Sequence, residues 1–119
     1  MSAHVLSFGY DRLTMRIRTM VLMTKGYEVT EVYSLQEALR LVSVPGYDLL
    51  LICHTVPEDQ QQAVMERAEY MDGGLRVLCL TETPGIKYSE NCETASNTAP
   101  ELLRQIDEAL GKSKERRAA

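Results

Sequence analysis

Five consecutive apolar residues, Leu49-Leu50-Leu51-Ile52-Cys53, lie between Tyr47-Asp48 and His54-Thr55-Val56-Pro57. A strand with one wet face alternates polar and apolar residues, whereas a continuous apolar run needs cover on both faces. Such a run fits a strand buried on both faces, as in a parallel sheet covered by helices. The rest of the chain supplies the other layers. Val5 to Phe8 is a second short apolar run, ending at Gly9. Tyr27-Glu28-Val29-Thr30-Glu31-Val32 alternates for most of its length and is rich in β-formers. Leu75 to Leu80 is apolar except for Arg76 and predicts a fourth strand.

Helical spacing fills the intervals. Leu13, Ile17, Met20 and Val21 recur every three or four residues and predict a helix from about Arg12 to Lys25, with Gly26 as a left-handed cap. Ser34-Leu35-Gln36-Glu37 is a capping box. The helix it opens carries Leu35, Ala38, Leu39 and Val42 and stops at Pro45-Gly46. A third helix is predicted from Pro57 to about Met71, and a last one from Pro100 to Leu110, with Leu102, Leu103, Ile106 and Leu110 on its buried side. From Glu82 to Asn97 the signals fade. Met15, Met20, Met23, Met65 and Met71 fall on predicted helices and read as core filler.

Alternating strands and helices imply an α/β fold with a doubly wound parallel sheet and right-handed crossovers. The functional crevice of such a sheet lies beyond the carboxyl ends of its strands. Gly9, Tyr10, Cys53, His54, Thr81 and Glu82 all fall at that edge. A length of 119 residues fits one domain, read as residues 1–111, followed by a charged tail at 112–119 that is expected to be disordered. The net charge of -4 gives no general attraction to nucleic acid. No apolar run approaches the ~20 residues that span a bilayer. No signal peptide is visible, so the expected location is cytoplasmic. Three cysteines without a CxxC spacing predict free thiols.

The order of elements, together with Gly26-Tyr27-Glu28-Val29, Glu37-Ala38-Leu39, Tyr47-Asp48-Leu49, Pro57 and Val77-Leu78-Cys79-Leu80-Thr81, resembles the response-regulator receiver domains of the chemotaxis type. The resemblance spans most of Val5 to Leu110 and implies a five-stranded, flavodoxin-like sheet. It also implies which residues stand at the phosphorylation site. Gly9 and Tyr10 stand where the family has its acidic pair, Cys53 where it has the phosphoacceptor aspartate, and Thr81 at its switch threonine or serine. Pro100-Glu101-Leu102-Leu103 resembles the start of its last helix.

Receiver phosphotransfer needs Mg²⁺ held by carboxylates, and a lysine for the remaining positive charge. Gly9 and Tyr10 offer no carboxylate, Cys53 replaces the acceptor, and Glu93-Thr94-Ala95-Ser96-Asn97, at the expected fifth strand, contains no lysine. Lys87 sits ahead of that strand, and Asp11 would reach the metal position only through a one-residue bulge. Between Thr81 and Pro100 the interval is shorter than the family's by roughly two helical turns, which predicts a shortened fourth helix.

These departures predict a pseudo-receiver that is not phosphorylated, is not an enzyme, needs no cofactor or metal, and serves as a protein-protein interaction module in signalling. The alternative is a small-molecule or thiol-responsive sensor using the emptied crevice. Cys53 with His54 offers the thiol for that alternative, although a thiol is reactive only where its pKa is lowered. The predicted partner is another protein, including a second copy of this chain, rather than nucleic acid or membrane. Loss of residues between Thr83 and Asn97 directs the expected contact surface to Ile86, Tyr88, Leu102 and Arg104.

Overall fold

In a computed structural model, residues 3–70, 75–81, 93–96, 102–108 and 110 are described. The elements run β1 (His4–Phe8), α1 (Arg12–Thr24), β2 (Glu28–Val32), α2 (Leu35–Val42), β3 (Leu49–Ile52), α3 (Glu58–Tyr70), β4 (Arg76–Thr81) and β5 (Glu93–Ser96). Residues 102–108 form the last helix. Four strands make the body of the sheet in the order β2-β1-β3-β4, and β5 pairs along the outer side of β4. Every pairing is parallel, as crossover helices require. The predicted fourth helix and the tail fall outside the described residues.

Register explains why the Leu49–Cys53 run is apolar throughout. β3 pairs with β1 on one side, where Phe8 faces Ile52, and with β4 on the other, where Ile52 faces Cys79. Side chains alternate across the sheet. Leu49, Leu51 and Cys53 therefore join one core with Val5, Met15, Leu22, Leu78, Leu80, Leu102 and Ile106. Leu50 and Ile52 join a second core with Leu6, Phe8, Val42, Val64, Met65 and Cys79 on the opposite face. A polar residue anywhere in the run would sit in one core or the other.

Local signals set the helix ends. Ser34 Oγ accepts the backbone N–H of Glu37 at 3.2 Å, which fixes the start of α2. At the other end of α1, Gly26 has φ +87, and the N–H of Gly26 and of Tyr27 donate to the carbonyls of Met23 and Leu22. That pair of bonds is a Schellman motif, and it turns the chain into β2.

Three expectations need correction. First, α1 lies on the sheet by its other side. Its buried residues are Met15, Arg18, Thr19 and Leu22, whereas Leu13, Ile17, Met20 and Met23 are 73%, 57%, 62% and 61% exposed. Met20 and Met23 are thus surface residues, while Met15 and Met65 are core. Second, Leu102, expected at a contact surface, is buried in the first core, because the last helix rests on the sheet by that side. Third, Cys79 is a fully buried core residue as its apolar strand implies, but it is disulfide-bonded and not a free thiol, whereas Cys53 is free.

Candidate functional site

The topology brings Gly9, Tyr10 and Cys53 together at the carboxyl edge of the sheet. The β1–β3 ladder runs one step past the strands, with Cys53 N–H donating to the Phe8 carbonyl at 2.8 Å. On the other side of β1, Gly9 N–H donates to the Val32 carbonyl at 3.2 Å. These bonds hold Gly9 directly against Cys53. A Cβ placed on Gly9 would lie 2.8 Å from Cys53 Cβ, 2.9 Å from Met15 Sδ and 3.1 Å from Cys53 Sγ. Real Cβ atoms essentially never come this close, so Met15 or the backbone carrying Cys53 would have to shift. Met15, reaching in from α1, and Cys53 already occupy the volume an acidic side chain would need.

Tyr10 turns away from Cys53, towards the opposite face of the sheet. Its backbone N–H donates to Thr55 Oγ1 at 3.0 Å, and its hydroxyl donates to Gln60 Oε1 at the start of α3. Its ring stands edge-on to Phe8, with centroids 5.6 Å apart. The loop it leans on is itself tied down: buried Gln61 donates through Nε2 to the Val56 carbonyl at 2.9 Å, and Val56 N–H donates to the Cys53 carbonyl at 3.1 Å.

Beneath the site lies a feature that sequence reasoning missed. Arg18 is buried, and its guanidinium donates to Cys53 Sγ at 2.9 Å. Arg18 lies off the stripe of Leu13, Ile17, Met20 and Val21 that defines the helix in the sequence, so no pattern signals its burial. Burial pushes the Cys53 pKa up, because a thiolate there would lose its hydration; Arg18 and a hydrogen bond from Ser7 pull it down by less. Cys53 therefore keeps its proton at neutral pH, and a protonated, buried thiol is a poor nucleophile.

Asp11 does not turn inward. It is the N-cap of α1, accepting from Thr14 Oγ1 at 2.7 Å and from Thr14 N–H at 3.4 Å. These bonds stabilise its charged form and lower its pKa. The one acid near the metal position of the receiver pattern is committed to the helix end. Among the described residues no three His, Cys, Asp or Glu side chains converge as metal ligands. The donor set is thus a glycine, a tyrosine and a buried thiol, which do not fit Mg²⁺, a cation that takes oxygen ligands.

Thr81 ends β4 and is in register with Ser96 of β5, so the backbone places it at the same edge. The described β5, Glu93–Ser96, contains no lysine. Ile86 and Tyr88 lie outside the described residues. Arg104 is exposed on the last helix, with an ion pair to Glu108 at 3.2 Å.

Comparison with known proteins resolves the fold. Solved structures match over nearly the whole chain. A response regulator receiver domain protein (CheY-like) from Methanospirillum hungatei JF-1 superposes with a TM-score of 0.84 at 18% identity, covering 98% of this chain and 99% of that one. The chain has the receiver fold. The signal receiver domain of a putative Luxo repressor protein from Vibrio parahaemolyticus gives 0.84 at 12% identity, over 99% and 97% of the two chains. A response regulator receiver domain protein from Clostridium thermocellum gives 0.81 at 19%, over 94% and 97%. No family model and no curated protein matches the sequence. Among the described residues no helix is long and apolar enough to cross a membrane.

Proposed function

We propose that this chain is a receiver-fold module that does not take up a phosphoryl group and works through contacts with other proteins in signalling or regulation. The observation that carries the reading is the packing at Gly9. At Gly9, where a receiver has the first of its acidic pair, Met15 and Cys53 crowd the space a side chain would take, and Tyr10 at the second position is turned onto Phe8 and Gln60. The solved structures that share the fold are named as receiver domains, which supports a place in signal transduction. A domain that keeps this fold while its phosphorylation chemistry is filled in retains its surfaces as the means of acting.

The alternative, a small-molecule or thiol-responsive sensor, needs an open crevice or an activated thiol. The filled site and the proton-holding Cys53 favour neither. The reading assigns no enzymatic activity and no cofactor.

Acetyl phosphate with Mg²⁺ tests it. Intact-mass measurement should show unmodified protein under conditions that phosphorylate an active receiver run alongside. A stoichiometric, Mg²⁺-dependent adduct would overturn the proposal.

A further inference from the structure

Among the described residues, the outward face of α1 carries four of the seven exposed large hydrophobic side chains. Leu13, Ile17 and Met20 follow one another at helical spacing and form a stripe, with Met23 beside it. All four are more than half exposed. The buried side of the same helix carries an arginine and a threonine between Met15 and Leu22. An ordinary surface helix shows polar residues where this one shows four large apolar side chains.

We propose that this stripe is the contact face of a homodimer, in which α1 of one protomer packs antiparallel on α1 of a second copy about a two-fold axis. The inference is independent of the phosphorylation reading. Charge argues for a like partner. α1 has no acidic residue, and its cations are drawn off the stripe by their own chain. Arg12 lies over the Tyr33 ring at 4.5 Å, Arg16 is 3.9 Å from Glu31, and Arg18 is buried on Cys53. Leu13, Ile17 and Met20 are themselves uncharged, so two copies meet along an apolar line, with Arg16 at its side reaching towards Glu31. Antiparallel pairing also sets the Asp11 end of each helix beside the Lys25 end of the other, opposing the two helix dipoles favourably.

Area sets the strength. Four side chains of this size at these exposures present about 400 Å² of apolar surface per protomer, within the range of functional surface patches. Two such patches with their polar rims reach roughly 1,000 Å², the lower bound for a specific interface. The dimer is therefore weak and reversible, and a single two-fold patch closes it without further polymerisation.

Sedimentation velocity of the full chain from about 5 μM to 1 mM tests the proposal. The weight-average mass should rise towards that of a dimer with concentration. Ile17→Glu and Met20→Glu should each raise the dissociation constant at least tenfold without changing circular dichroism or melting temperature, since both side chains are exposed in the protomer. Tyr70→Glu, on exposed α3, should leave association unchanged. Ile17→Cys should form an intermolecular disulfide under mild oxidation, and Tyr70→Cys should not. A monomer at every concentration overturns the proposal, as does a dimer indifferent to Ile17→Glu and Met20→Glu. Binding of a monomeric chain to phosphatidylglycerol vesicles through this stripe would assign the face to membrane and equally overturn it.

Discussion

Gly9 shows how one residue decides what an entire edge can do. A Gly→Ala exchange in a compatible backbone stabilises by about 0.4–1 kcal/mol through the unfolded state. Here the added methyl meets Cys53 Cβ, which is fixed to the β-ladder, at 2.8 Å, and Met15 Sδ, the movable end of a flexible chain, at 2.9 Å. The first contact cannot be relieved without shifting backbone, so overpacking wins. Gly9→Ala is predicted to destabilise by about 1–3 kcal/mol in urea denaturation. In a Cys53→Gly background the obstructing Cβ is gone, and the penalty for Gly9→Ala should shrink or reverse.

Cys53 carries a second prediction at this scale. Its folded pKa is raised above the unfolded value, so the folded state holds the proton more tightly. That contribution is fully present below the ordinary thiol pKa of about 8.5 and is lost as pH rises through the higher folded value. Denaturation midpoints should thus fall more steeply above roughly pH 9 in the native protein than in Cys53→Ser, which removes this titration but retains an acceptor for Arg18. Alkylation at pH 7.5 should label Cys53 only after unfolding. The identities of Gly9, Tyr10 and Cys53 were legible in the sequence as a site without carboxylates. The filling of that site was not, because it depends on Met15 and Arg18, which sit one helix away and approach from an unsuspected face.

At the scale of the element, α1 marks where periodicity stops informing. The spacing of Leu13, Ile17, Met20 and Val21 located the helix correctly, with Arg12–Thr24 observed. The same helix carries a second stripe, Met15, Arg18, Thr19 and Leu22, and the fold buries that one. The choice is made by what the sheet offers. Gly9 leaves a slot that Met15 fills, Cys53 accepts from Arg18, and Glu31 accepts from Thr19. A one-dimensional pattern contains none of these partners. Caps, by contrast, are local and were readable: Ser34 holds the Glu37 N–H as its motif implies. Ser34→Ala should cost about 1 kcal/mol in thermal or urea unfolding, and Ser34→Asp should retain most of the stability, since either oxygen can accept the bond. A larger loss would mean that Ser34 supports more than the first turn of α2.

At the scale of the whole molecule, the alternation of strands and helices was sufficient to define the architecture, because a strand apolar on both faces admits few covers. The consequence is two cores that share one sheet. Leu50 and Leu51 are sequence neighbours and both fully buried, yet they belong to opposite cores: Leu51 packs with Met15, Leu80 and Ile106, and Leu50 with Phe8, Val64 and Met65. If the layers were independent, truncating one would loosen its own helices and leave the others intact. The backbone argues otherwise, since β1 and β3 are hydrogen-bonded strands that carry side chains of both cores, so neither core can open without breaking the ladder of the other. Leu50→Ala and Leu51→Ala are each predicted to cost about 2–5 kcal/mol. Each variant should unfold in a single transition, with far-ultraviolet circular dichroism and tyrosine fluorescence giving coincident midpoints at a concentration low enough to keep the chain monomeric. Separated midpoints in the Leu50→Ala variant would show that the helices on the Leu51 side persist alone. In that case the filled site at Gly9, which belongs to the Leu51 side through Met15 and Cys53, would owe its rigidity to one layer instead of to the sheet as a whole.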